Sequence, residues 1–274
     1  MATSSERPNR FGTGDSVPVG PLATVAVPLA LLWVHSLPVG TRQSLALAFG
    51  DPTLSTLFTA HFVHLSAGHL LSNLIIYGLV VPMAYLLARR TDDLRAFRRG
   101  FLTVLLVFPP ALSGLSVALG RPALGYGFSG LNMALFGLLT MFLGRFLARR
   151  LGVGVDRRGL VLFGAGIVLV VLQSLPTTAV SLSVAGAAAC LSLASVVSRH
   201  RRRSAEGPTL GSRSGRGGDA ELAAVAGVLF CVLPVVAFSQ PTSVSAGLGL
   251  YVHFLGYALA FTVLYAADAA GLLA

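Results

Sequence analysis

Gly127-Phe128-Ser129-Gly130 stands at the head of a long apolar run, Leu131 to Leu147, and Ser129 is one of the few polar side chains in the stretch so formed. About 20 predominantly apolar residues suffice for an α-helix to cross a bilayer, so the stretch reads as a membrane span with a serine between glycines at its mouth. Ser and Gly are common packing residues in such helices, and taken alone the motif favours packing over chemistry. Other residues shift that balance. His69 and Asn73 open one apolar segment and His253 opens another, all at the same end of their segments.

The composition agrees with a membrane chain. Hydrophobic residues make up 54% and charged residues 11%, and the mean hydropathy is +0.79. These values lie far outside the soluble range and predict an all-α, polytopic transmembrane bundle. All 20 basic residues are Arg, which reads first as coding bias, so the net charge of +10 does not imply a nucleic-acid partner. Eighteen of the Arg fall in four tracts: residues 7–10, 89–99, 145–158 and 199–216. Basic residues accumulate in cytoplasmic loops, so these tracts mark the inner ends of the spans. Cys190 and Cys231 lie in apolar runs and read as small packing residues.

In chain order, residues 1–16 form a polar tail, expected to be disordered and cytoplasmic, ahead of a transmembrane domain over 17–268. The first span covers Val17 to Leu37. Residues 38–63 read as a partly helical outer loop, with Gly40, Gly50, Asp51 and Pro52 as turn signals. The second span opens on His69 and ends near Ala88. The third, Phe101 to Leu119, contains Pro109-Pro110 and is expected to kink there. Gly120 to Tyr126 is a short outer turn, and the Ser129 helix is the fourth span. An odd number of crossings must follow if His253 is to lie level with Ser129; the apolar runs at 159–175, 180–197 and 221–238 supply three. Residues 199–219 form a basic, flexible cytoplasmic linker. The last span, Val244 to Asp268, brings the total to eight, and 269–274 is a short C-terminal tail.

On this topology His69, Ser129 and His253 lie five to ten residues below the outer ends of inward-running helices, a depth on the order of 10 Å at 1.5 Å per residue. A serine hydroxyl needs a base to become a nucleophile, and the nearby candidates are histidines. His253 is the expected base. His69 and Asn73 are four apart and share one helix face, and with the Ser129 N–H they would supply donors for an oxyanion. Gly127 and Gly130 permit close backbone approach. Gly256 and Ala260, also four apart, form a small-residue packing face; packing on the Ser129 helix, with its Gly130 and Gly137, would bring His253 to the serine. Asp268 lies too far along its helix to orient His253, so a dyad is implied. His61 and His64 read as interfacial loop residues. No metal and no cofactor are expected: an H-E-x-x-H motif is absent, and apart from Glu221 at the very start of its run Asp268 is the one carboxylate in any expected span.

These residues resemble the rhomboid family of intramembrane serine proteases. In that family a histidine and an asparagine four apart, a G-x-S-G at the head of a later helix, and a histidine followed by a small-residue face form the site. Here they match His69/Asn73, Gly127-Phe128-Ser129-Gly130, and His253 with Gly256 and Ala260; His64-Leu65-Ser66 also resembles the family's stretch before the second helix. The likeness covers roughly 51–147 and 243–265. It implies Ser129 as nucleophile, His253 as base, and His69 with Asn73 as oxyanion donors. This chain departs from the family in four ways. Its first loop is short and lacks the common Trp-Arg pair; Met133 stands where a tyrosine is common; Ala260 replaces a glycine; and three spans instead of one separate the serine and histidine helices.

The resulting expectation is a multi-pass protein of the cell membrane that cleaves single-span membrane-protein substrates within the lipid bilayer, its active site toward the outer face. The alternatives are an inactive rhomboid-like protein that binds transmembrane segments, and a transporter. The absence of a clear internal repeat counts against the transporter.

Overall fold

The apolar run behind Gly127 forms a helix, Ser129–Arg150, in which every residue from Gly130 to Phe146 is buried. A helix apolar on all sides is covered on all sides, and the remaining helices supply the cover. The computed structural model describes residues 19–119, 124–152, 159–174, 218–237 and 244–273. Its helices are α1 (Val19–Ser36), α2 (Val39–Leu45), α3 (Leu54–Thr59), α4 (Ala67–Arg90), α5 (Leu94–Leu106), α6 (Phe108–Ala118), α7 (Ser129–Arg150), α8 (Leu160–Ser174), α9 (Asp219–Ala237) and α10 (Val244–Ala269). Among the described residues the fold is therefore all-α, interrupted by one antiparallel pairing of Leu47 with Gly125 and Ala48 with Leu124. Among the described residues α4, α7 and the Tyr251–Ala269 part of α10 are long and apolar enough to cross a membrane, and the α5–α6 pair makes a fourth if it counts as one bent span.

The bend is the one expected from Pro109-Pro110. α5 and α6 meet at Val107 with an angle of 41°. Neither proline can donate to the carbonyl four residues back, and Phe108 is itself disfavoured from continuing a helix into Pro109. The chain therefore breaks just ahead of the pair.

Contacts along the helices give their directions. α1 places Thr24 beside Tyr77 and His35 beside His64, so it runs antiparallel to α4. α4, α7 and α10 run together, from a Ser129 end to an Arg-rich end. At the latter Arg145 pairs with Asp93 and Asp268, Arg149 with Asp93, and Arg90 and Arg150 with Asp219. Arg145 and Asp219 are both buried, and a buried charge of this kind is tolerable because it is paired. Asp268 thus serves this end of the bundle and lies far from Ser129.

α8 and α9 both start from the Arg-rich end. Gly159 abuts Thr140, whereas Gly166, two turns on, faces the Tyr257 hydroxyl; Asp219 meets Arg150, whereas Phe230 stacks on Phe136. α8 thus runs away from the Arg-rich end and α9 starts from it; residues 175–217 lie between the two and outside the described residues. The expected crossing at 180–197, most of the 199–219 linker, the 1–16 tail and residues 120–123 of the outer turn lie outside the described residues.

Two expectations need correction. His61 and His64 are buried and not interfacial: the His61 ring lies against Pro109 and Ser113 of α6, and the His64 ring against His69 and the Phe128 N–H. Cys231 is exposed and not packed, because α9 buries Ala226, Phe230 and Leu233, and Cys231 lies off that stripe.

Candidate active site

The site begins with a turn that only glycine can make. Gly127 has φ +111°, and a Cβ added there would fall 2.6 Å from Cε1 and 3.0 Å from Nε2 of His69. Glycine therefore supplies both the left-handed backbone and the space for the imidazole. His69 is placed from its own side by Ser66, which caps α4 by accepting from the His69 N–H at 3.3 Å. The turn is held further by Gly127 N–H donating to Ala60 O at 3.0 Å and by Phe128 N–H donating to His64 Nε2 at 3.4 Å. His64 must be neutral at Nε2 to accept. Burial, helped by the nearby His69, holds its pKa down at about 4. His61 is held to about 4 by burial; its Nε2 lies 3.0 Å from both Pro109 O and Ser113 Oγ, so it ties the loop to α6.

α7 starts at Ser129 itself and α4 only two residues before His69, so these two stand at their helix ends and not five to ten residues below them as expected; no side chain caps the first turn of α7. The first N–H groups of a helix have no acceptor within it, so the backbone donors at Ser129 and Gly130 point out of the helix end, where a developing negative charge is favoured. Two crossing contacts determine what the serine faces. A Cβ on Gly256 would fall against the Gly130 carbonyl oxygen, 3.2 Å from Gly130 C and 3.3 Å from Met133 Cβ. A Cβ on Gly137 would fall 3.0 Å from Tyr257 O, 3.1 Å from Phe261 N and 3.5 Å from Ala260 Cβ. The small-residue face of α10 thus packs on α7 backbone to backbone, and the Ala260 methyl is accommodated by Gly137.

Helical geometry then orients the reacting groups. At about 100° per residue, Gly130, Met133 and Gly137 fall within an arc of about 60° that meets α10, while Asn132 points about 160° away from Gly130. Asn132 meets α4, its Nδ2 lying 3.0 Å from both Asn73 O and Asn73 Oδ1. Ser129 falls between Met133 and Asn132, on the side of α7 between the face that meets α10 and the face that meets α4. On α10, His253 lies one residue after Val252, which packs on Gly130, and one turn before Tyr257, whose ring is 5.0 Å from that of Phe136, two turns after Ser129. Ser129, His69 and His253 are all half-buried.

His69 is thus brought to the Gly127 turn, and His253 is carried to the level of Ser129 by the glycine contact. Asn73 is buried, and its amide is committed within the protein: Nδ2 donates to His69 O at 3.0 Å and Oδ1 accepts from Asn132. Asn132 is the residue that reading the sequence missed. Its signal was a second polar side chain in the apolar run, three residues after Ser129. Comparison with family models, with curated proteins and with solved structures gives no match.

Proposed function

We propose that the chain is an intramembrane serine endopeptidase of rhomboid type that hydrolyses peptide bonds in or near the transmembrane segments of single-span membrane proteins. The observation that supports this reading is the Gly130–Gly256 contact, which sets the part of α10 that carries His253 against the head of α7, where Ser129 stands. In this reading the Arg-rich end is cytoplasmic, the Ser129 end lies toward the outer face of the cell membrane, and the chain crosses the membrane eight times.

The reaction would proceed through an acyl-enzyme. Ser129 Oγ attacks the scissile carbonyl carbon while its proton passes to His253. The carbonyl oxygen gains charge and is met by the Ser129 N–H, by His69 and by the Asn73 amide. His253 returns the proton to the leaving nitrogen as the C–N bond breaks. Water, deprotonated by His253, then cleaves the ester and regenerates Ser129. Polar side chains set together at one end of apolar helices are costly in a membrane without a use, which supports chemistry over packing.

A second reading is an inactive rhomboid-like protein that binds transmembrane segments. That His69 O already takes one of the two Asn73 amide hydrogens favours it, since only one is then left to donate. Labelling with a fluorescent alkyl fluorophosphonate separates the two. The enzyme reading expects covalent modification mapping to Ser129, lost in Ser129→Ala and His253→Ala. A purified, folded wild-type protein that takes no label at Ser129 supports the binding reading and removes the enzyme.

A further inference from the structure

We infer that Asn132 is a positioning residue for this reaction: it fixes the orientation of the Asn73 amide and thereby makes Asn73 an oxyanion donor. The inference rests on the protease reading and extends it to a residue outside the family pattern quoted above. Asn132 is fully buried one turn into α7. Its Nδ2 faces two acceptors of α4, the main-chain and side-chain oxygens of Asn73, both at 3.0 Å. An asparagine amide has one accepting edge and one donating edge. With Asn132 donating to Oδ1, the Asn73 amide cannot turn over without setting donor against donor at Asn132 and acceptor against acceptor at His69 O. Its NH2 group is therefore held on the side of His69, toward the head of α7. One of its two hydrogens is taken by His69 O, and the second is left for a developing oxyanion.

A packing role accounts for Asn132 poorly. Its Oδ1 is buried and, among the described residues, accepts no hydrogen bond. A buried acceptor without a donor is unfavourable, and an aliphatic side chain of similar size would avoid that loss. What an aliphatic residue could not do is hold Asn73.

The test is saturation kinetics of fluorophosphonate labelling on the purified full-length chain, giving a limiting rate and a half-saturating concentration, together with the thermal midpoint. Asn132→Leu should lower the limiting rate roughly 10- to 100-fold, less than the 10²- to 10³-fold typical for loss of an oxyanion donor itself. The half-saturating concentration should stay within about twofold, because a donor that acts in the transition state leaves ground-state binding alone. Asn73→Ala should show the larger loss, and adding Asn132→Leu to it should cost nothing more, since both act through one group. Asn132→Ala, which adds no bulk, repeats the test should Leu misfold. A limiting rate unchanged in both variants, losses that multiply in the double mutant, or a rate that falls only with the thermal midpoint would each overturn the inference alone. Wild type that does not label Ser129 overturns the protease reading and the inference with it.

Discussion

Gly256→Ala tests the contact on which the site depends. The new methyl would fall on the Gly130 carbonyl oxygen, 3.2 Å from Gly130 C and 3.3 Å from Met133 Cβ. These are mostly backbone atoms of a buried helix and cannot swing aside. Restoring ordinary van der Waals separation requires α7 and α10 to part locally by on the order of 1 Å. Overpacking of this kind costs about 1–3 kcal/mol, against a gain of about 1 kcal/mol for replacing glycine in a helix. The net loss is small enough for the protein to remain folded. The reacting groups are less tolerant: a displacement of about 1 Å costs on the order of 100-fold in rate. Gly256→Ala should therefore lower the labelling rate of Ser129 about 100-fold with a modest fall in thermal midpoint. Gly78→Ala is the control, because a Cβ there meets nothing within 4 Å; it should leave the rate unchanged and the stability equal or slightly higher. A wild-type rate in Gly256→Ala, or an equal loss in Gly78→Ala, would refute the argument that this contact sets the dyad.

Ser129→Ala and His253→Ala should each abolish cleavage of a transmembrane substrate, and the double variant should be scarcely worse than either, because one proton transfer joins them; residual proteolysis by purified Ser129→Ala would exclude the serine mechanism. The burial of His61 and His64 predicts acid lability. An unfolded histidine titrates near 6.5, whereas both rings are held to about 4 in the fold; stability is full above the unfolded value and is lost as pH falls from there toward 4. The loss by pH 5 is roughly 2 kcal/mol per ring at most, so the thermal midpoint should fall between pH 7 and 5, less so in His64→Gln, and a flat profile would contradict it. Single cysteines introduced by Ser212→Cys and Thr242→Cys in a chain lacking Cys190 and Cys231 should react with an impermeant thiol reagent from opposite sides of the membrane; same-side labelling would remove the eight-span topology.

Much of this protein is local and therefore legible in the chain itself. Hydropathy marks a membrane protein because a helix satisfies its own backbone and needs only an apolar surface. Pro109-Pro110 predicts the break because proline acts on its immediate neighbours, and the Gly127 turn, the four-residue spacing of His69 and Asn73 and the Gly256/Ala260 face follow from backbone geometry. What the chain alone left open was pairing. Small residues permit close approach without naming the partner, and it took the packed bundle to put Gly256 on Gly130 and the Ala260 methyl against Gly137. Burial was decided there too: His61 and His64, polar residues in a loop, are buried because that loop brings their rings onto α6 and the head of α7. Asn132 is the sharpest case. In an apolar run one amide looks like any tolerated polar residue, and its meaning depends on which side chain of another helix it meets, a fact that no periodicity encodes.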